Sequence, residues 1–257
     1  MKSRKEYSVK ENLCVPTDII GSIDVDKMET WHDKVFLTID IDWAHDEILE
    51  DAIQLVEETG VCATWFITHE TSCLEFLRGN PLFELGIHPN FNPLLLGDKS
   101  LGKSADEVVS RLLEIVPEAK SVRSHSMAQS SVLLNLFSEK GLTHDCNHYI
   151  PQQSQIVLKP WHLWNGLIRV PYFWEDDLSC IYKDPFDASS LLSRQGLRVF
   201  DFHPIHLFLN TNDLKQYEET RSFHQKPNEL IKHRSESIPG ARSRFVELFS
   251  SPASVYS

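Results

Sequence analysis

The apolar positions of this chain fall into a steady rhythm from residue 34 onward. "KVFLTID" (34–40) is a short apolar and β-branched run, the pattern of a buried strand. "HDEILEDAIQLVEETG" follows, with Ile48, Ala52, Leu55 and Val56 on one helical face and Gly60 as a natural stop. The alternation then repeats. "VCATWFIT" (61–68) predicts a strand, "CLEFLRG" a weaker helix, and "FELGIH" (83–88) another strand. "SADEVVSRLLEIV" (104–116) predicts a helix with Ser104 as N-cap and Glu107 three residues on, a capping-box spacing. "AKSVRSH" (119–125), "LTHDCNH" (142–148), "LIRVPYF" (167–173) and "LRVFDFH" (197–203) predict four more strands. Between the first two of these, "SSVLLNLFSEKG" (130–141) reads as a helix closed by Gly141.

Strictly alternating strands and helices imply a parallel sheet of the α/β class. Seven strands, with no glycine-rich phosphate loop after the first, predict a (β/α)7 barrel rather than an open nucleotide-binding sheet. No shift in composition marks a second domain. Residues 1–33 read as an N-terminal extension packed on the domain, 34–206 as the barrel, and 207–257 as a C-terminal wrap. The wrap is polar apart from one amphipathic piece, "SRFVELF".

In such barrels the active site lies where the strands end, because the following loops gather there. The predicted ends carry Asp40 and Asp42; Thr68 and His69; His88, Asn90 and Asn92; Arg123, Ser124 and His125. The later ones carry Asp145, Asn147 and His148; Trp174, Asp176 and Asp177; His203 and His206. A purely structural barrel has no need of this. Single residues have plainer readings: Asp46 suits a helix N-cap, and His88 alone suits a satisfied core histidine. Asp40 differs, since it sits inside the apolar run. A strand's period of two places Asp40 and Asp42 on one face, where they repel unless a cation or a shared proton joins them. Trp161 and Trp164, in the predicted loop "KPWHLWNG", are candidates to line a sugar site.

The formal charge is -12, with no clustered basic stripe, which argues against nucleic acid and against anionic membrane surfaces. Five dispersed cysteines without a C-x-x-C pair suit reduced thiols and a cytoplasmic compartment. The basic start "MKSRKEYSVKENL" has no apolar run behind it, so no secretory signal is expected. No apolar segment approaches the roughly 18 residues of a membrane span.

Taken in order, the motifs resemble the polysaccharide deacetylase family, the NodB-homology domains that remove acetyl groups from N-acetylated sugars. "TIDID" resembles that family's T-F-D-D-G with one residue inserted between the acids, and "ATWF" (63–66) resembles its A-T-F-F. "ELGIHPNFN" (84–92) resembles E-x-G-x-H-x-x-x-H, and "VRSHS" (122–126) its arginine motif. "WEDD" (174–177) resembles the late aspartate motif and "FDFHPIH" (200–206) the final histidine motif. The resemblance spans about residues 34–206 and rests on six motifs in the right order.

It implies a distorted barrel and one divalent metal, zinc foremost, with cobalt, nickel or manganese as alternatives. Asp42 and His88 would hold the metal, Asp40 would be the general base, and His203 the general acid. Arg123, with Asp176 or Asp177, would orient the base. Asp201 shares a strand face with His203 and is a candidate to tune it. Three departures stand out: Asn92 replaces the second metal histidine, the first motif lacks its Gly, and the arginine motif lacks its prolines. Asn92, or His125 from the adjacent strand and outside the family pattern, would complete the metal site. Such variants resemble a subgroup associated with bacterial surface-polysaccharide loci, acting on a nucleotide-, lipid- or glycan-linked N-acetyl sugar. Two other classes stay open: a barrel hydrolase using the same metal on a phosphoester, and a silent carbohydrate-binding protein. A glycosidase fits less well, since Asp176 and Asp177 are adjacent and no carboxylate pair is placed across a cleft.

Overall fold

A computed structural model describes residues 15–250 apart from Asp184. Its centre is β2 (Val35–Asp40), in which every residue is buried. On one side β2 pairs with β3 (Ala63–Ile67), which pairs with β4 (Phe83–Ile87), all parallel. On the other side it pairs in parallel with β10 (Arg198–Phe202) and, at its start, with β1 (Thr17–Asp18). Beyond β4 the strands shrink to two residues each: β5 (Ser121–Val122), β6 (His144–Asp145) and β8 (Ile168–Arg169). An antiparallel β7 (Trp161–His162) lies outside β8, and β9 (Trp174–Glu175) lies outside β10.

The sheet order is β7-β8-β6-β5-β4-β3-β2-β10-β9. β8 and β9 are the two ends of one extended stretch, 168–175, which leaves the β6 side, bridges Tyr149 through Tyr172, and arrives beside β10. One segment therefore spans the gap that a full seventh pairing would fill. The result is the expected α/β barrel, curled and distorted. The predicted strand at 167–173 is in fact this crossing, paired only at Ile168–Arg169 before β9 begins.

The helices follow the apolar pattern. In α1 (Asp46–Thr59) the face carrying Ile48, Ala52, Leu55 and Val56 is buried, and Gly60 ends the helix at φ 69°. Its N-cap is His45 rather than Asp46: the Glu47 amide donates to His45 Nδ1 at 3.2 Å. Asp46 is the first helical residue and accepts from the Thr71 and Ser72 hydroxyls instead. After α2 (Leu74–Gly79) and the single turn α3 (Asn92–Leu95) comes α4 (Ala105–Ile115). Ser104 Oγ caps α4 by accepting from the Glu107 amide at 3.2 Å, and the Glu107 carboxylate accepts from the Lys103 amide at 2.8 Å. Helix α5 (Ser131–Glu139) starts from a Ser130 cap of the same kind.

Residues 19–31 run across the end of the barrel opposite the strand termini that carry the polar residues. The Ile20 amide donates to Thr64 Oγ1 at 3.0 Å, and the Gly21 amide to the Glu84 carboxylate at 2.9 Å. His144 Nε2 meets the Ile23 carbonyl at 2.9 Å, while Ile20, Ile23 and Trp31 are buried. The strands' inward polar groups at that end are thus satisfied without water. After β9 come α6 (Asp176–Tyr182) and α7 (Ala188–Leu192). After β10 come α8 (Pro204–Leu209), α9 (Leu214–Glu219), α10 (Pro227–Leu230) and α11 (Ala241–Phe249). The amphipathic piece in α11 sets Phe245 and Phe249 edge-on to Phe202 and Phe200. Cys62, Cys73, Cys146 and Cys180 are free; Cys14 and the basic start lie outside the described residues.

Gly86, in the middle of β4, is a packing requirement. A Cβ there would lie 2.7 Å from the Phe66 ring and 2.8 Å from the Ser121 carbonyl oxygen. Gly86→Ala is expected to lower stability by about 1–3 kcal/mol, the range for overpacking. Thermal unfolding followed by circular dichroism checks it; an unchanged midpoint would show that β4 can move off β5 freely.

Candidate active site

β2 ends at Asp40, and Ile41 is fully buried. The chain then turns through two left-handed residues, Asp42 (φ 39°) and Trp43 (φ 53°). The strand pleat therefore does not place Asp42 beside Asp40, as the period of two suggested; a tight turn does. Left-handed backbone costs an L-residue about 1–2 kcal/mol. The turn is tied down on both sides: the Trp43 amide donates to Thr68 Oγ1 at 3.2 Å, and Gln225 Nε2 donates to the Trp43 carbonyl at 3.0 Å.

His88 follows β4 directly, its amide donating to the Ile67 carbonyl at 2.8 Å. His125 comes three residues after β5, its amide donating to the Pro89 carbonyl at 2.9 Å. The turn after β2 and these two loops meet. Asp42 Oδ1 lies 3.2 Å from His88 Nε2 and 3.1 Å from His125 Nδ1, and the two ring nitrogens are 3.3 Å apart. Three donor atoms thus form a nearly equilateral triangle. Donors bound tetrahedrally at about 2.0–2.1 Å stand about 3.3–3.4 Å apart, so the triangle has the size a first-row cation requires and leaves a fourth position open. Protons fill it less well, because each nitrogen would have to serve two neighbours at once.

Burial alone would raise the Asp42 carboxyl. Hydrogen bonds from His125 and His88, with the charges of His88 and His203, hold it well below the usual range instead. Burial disfavours a charged His88, and the carboxylates of Asp40 and Asp42 outweigh this to raise its pKa. His88 Nδ1 faces Asp40 Oδ2 at 3.4 Å with no hydrogen bond made. Asn92 stays outside the triangle. Placed at the start of α3, it donates from Nδ2 to Ser126 Oγ at 3.1 Å, next door to His125.

The buried guanidinium of Arg123 lies over the rings of Phe66 and Tyr172, 4.8 and 4.4 Å from their centroids. Its Nη1 donates to Asp40 Oδ1 at 3.0 Å, to Thr38 Oγ1 at 2.9 Å, and to Asp201. The acid beside Arg123 is therefore Asp201, not Asp176 or Asp177. Asp176 serves His203 instead: its Oδ1 lies 2.8 Å from Nδ1, and its Oδ2 accepts the His203 amide at 2.9 Å. The exchange has a simple cause. Asp201 is registered opposite Thr38 on the neighbouring strand and faces the barrel interior, while Asp176 opens α6 above the end of β10. Asp177 turns Oδ1 to the Leu178 amide, and its carboxylate and that of Glu175 reach within 4.8 Å of a His203 nitrogen.

Burial pushes the Asp201 carboxyl up to about 7, with Arg123 opposing and the Asp40 charge adding to the rise. Glu175 is also raised well above its ordinary value, by burial and by the charges of Asp177 and Asp201. For His203 burial favours the neutral ring, and Asp176 outweighs it, lifting the pKa well above 6.5. Burial raises Asp176 in turn, and the charges of His203 and His206 bring it below 3.8. His203 Nε2 points back to the triangle, 3.9 Å from Asp42 Oδ2. Asp40, Asp42, His88, Arg123, His125, Asp176 and His203 thus form one connected site. Trp164 is not in it. Trp161 pairs across from Arg169, so the hairpin turns back at the start of β8 and carries Trp164 to the opposite end of the barrel. Asp201 as the partner of Arg123 was legible only in the register with Thr38, which the linear sequence does not show.

A curled parallel barrel whose strand ends gather carboxylates, imidazoles and buried arginine carries the donors and acceptors that a hydrolase needs. The WbmS-like polysaccharide deacetylase profile matches residues 37–221, and the chain belongs to that family. Its reaction class is accordingly the removal of acetyl groups from carbohydrate. A Bordetella bronchiseptica structure, WbmS, described as a polysaccharide deacetylase involved in O-antigen biosynthesis, is 47% identical. The alignment covers 90% of this chain and 96% of that one, with a TM-score of 0.84. A family 4 carbohydrate esterase from Streptomyces lividans, solved with acetate, aligns at 13% identity over 83% of this chain and 86% of its own, with a TM-score of 0.44. No curated protein matches this chain.

The His203–Asp176 pair gives a direct test. Asp176→Asn removes the charge that lifts the imidazole pKa, so His203 should lose its proton at lower pH than in wild type. Titration of the ring by NMR on metal-free protein reads this; an unmoved midpoint would assign the rise to Asp42 and Asp201 instead.

Proposed function

We propose that this chain is a metal-dependent deacetylase that hydrolyses the N-acetyl group of a sugar in a surface-polysaccharide precursor. Asp42, His88 and His125 hold one divalent cation, zinc foremost. The observation that carries this reading is the donor triangle of 3.1–3.3 Å edges beside an independently built acid–base pair. The relationship to the Bordetella protein, whose description names O-antigen biosynthesis, supports the precursor. Among the described residues no helix is long and apolar enough to cross a membrane. The substrate in this reading is nucleotide-, lipid- or glycan-linked and is met in the cytoplasm.

Amide hydrolysis needs a nucleophilic water, a polarised carbonyl and a proton for the leaving amine. A cation at the triangle supplies Lewis acidity and makes water a nucleophile at neutral pH. The remaining work belongs to side chains. Asp40 accepts the proton of the attacking water, and Arg123 fixes its orientation through Oδ1. As the carbon–nitrogen bond breaks, His203 Nε2 gives its proton to the sugar amine and acetate leaves. Asp176 on Nδ1 dictates that Nε2 is the nitrogen facing substrate. Glu175 and Asp177 flank His203.

Two outcomes test the assignment. Purified protein should bind one equivalent of zinc, and Asp42→Ala, His88→Ala and His125→Ala should each weaken binding by about 10-fold or more. Retention of wild-type affinity in all three would remove the site.

Asp40→Asn should keep metal yet slow acetate release from N-acetylated sugars by about 100-fold, the scale of a general base. If metal is lost together with activity, the 3.4 Å contact to His88 Nδ1 makes Asp40 an orienting group for that ligand instead. Turnover of phosphoesters in place of acetamido sugars would select the rival hydrolase class.

A further inference from the structure

His125 is the ligand that no family motif supplies, and it stands on an irregular loop rather than a strand. Residues 124–130 leave β5 and reach α5 through two consecutive left-handed residues, Ser126 (φ 55°) and Met127 (φ 53°). Side chains of L-residues disfavour that backbone, so such a loop keeps its shape only where its surroundings dictate it. Here they do so at three points. At the start, the Ser124 amide donates to Asn147 Oδ1 at 2.7 Å. At the end, Gln129 Nε2 donates to the Asn147 carbonyl at 3.0 Å, and Gln129 Oε1 accepts from Arg169 Nη1 at 2.7 Å. At the tip, Asn92 Nδ2 donates to Ser126 Oγ at 3.1 Å.

The anchor of this arrangement is itself fixed. Asn147 is fully buried and donates from Nδ2 to Asp145 Oδ1 at 2.6 Å, while Asp145 Oδ2 lies 2.6 Å from Arg169 Nε. A carboxylate can only accept, so the Asn147 amide must turn its nitrogen to Asp145 and its oxygen to the loop. None of these groups is a donor of the triangle, and Gln129 is exposed.

We infer that Asn147, Gln129 and Asn92 are positioning residues that tether the 124–130 loop so that His125 presents Nδ1 as the third metal donor. The inference rests on the metal reading above and deepens it. It also gives Asn92 a role. Asn92 occupies the place where the family pattern has a histidine, and its amide holds the loop that delivers the replacement imidazole. Groups that orient a ligand in this way typically change metal affinity 10–100-fold when removed.

The test is a zinc titration against a competing chromophoric chelator, on wild type, Gln129→Ala, Asn92→Ala and Asn147→Ala, each with and without His125→Ala. Removal of a tether should weaken zinc binding by about 10-fold. In the His125→Ala background the same removal should change nothing further, since the tether acts through that ring alone. Exposed Gln129 keeps the test decisive even where buried Asn147→Ala unfolds the protein. Wild-type affinity in Gln129→Ala and Asn92→Ala, with binding still weakened in His88→Ala, overturns the tether and leaves the metal site standing. An equal loss with and without His125 also overturns it, because the loop would then be supporting the whole site. No zinc binding by wild type removes the metal reading and the tether together.

Discussion

Arg123 sits fully buried between two aromatic rings, with Asp40, Asp201 and Thr38 all meeting the same nitrogen. Taking a guanidinium and two carboxylates out of water is costly, and the attraction between them offsets that cost only when the geometry is close and the remaining hydrogen bonds are made. The fold meets the first part of that condition through close contacts, while Arg123 Nη2 and Asp201 Oδ2 are left without a hydrogen-bond partner. β2 brings Thr38 and Asp40, β10 brings Asp201 opposite Thr38, and β5 ends so that Arg123 reaches across the barrel to both. Removing the arginine would leave two carboxylates facing each other in the interior, a loss of about 3–5 kcal/mol by the usual cost of breaking a buried pair. In the proposed mechanism the group that orients the base is therefore also a keystone of the core.

The first half of the fold was legible because its signals are local. Apolar faces of period 3.6 and 2 are written directly in the residues from 34 to 139, and Gly60 and Ser104 end and begin helices where the pattern says. From 142 to 175 the strands are two residues long, and polar contacts such as Asp145–Arg169 and Asn147–Ser124 hold the chain instead of a ladder. Periodicity carries no information about contacts of that kind. The same limit explains Asp176 and Asp201. Both were visible as acids at strand ends, but which one meets Arg123 depends on register between β10 and β2, a long-range quantity. His45 as the cap of α1 was obscured for a related reason: Asp46 is the stronger capping residue by type, and it is drawn away by the hydroxyls of Thr71 and Ser72.

In the proposed metal site, Asn92 stands where the family pattern has a ligand histidine, and His125 takes over that donor. Distances between donor atoms matter, and the strand from which each donor comes does not. In that reading an imidazole on the loop after β5 can serve in place of one on the loop after β4, because adjacent parallel strands stand only about 4.8 Å apart. The cost is transferred to the backbone, where Ser126 and Met127 adopt left-handed angles.

Charge completes the argument for what the site is built to hold. Asp40, Asp42, Asp176 and Asp201 face one another through Arg123 and His203, the two cations of the cluster. Over these six groups alone, with the four acids ionised and His203 protonated, the balance is an excess of two negative charges. Burial, with the Asp40 charge adding to it, raises Asp201 to about 7, and the carboxylates of Asp40 and Asp42 raise His88 against its burial. The dication of the proposed site would balance those two charges without protons.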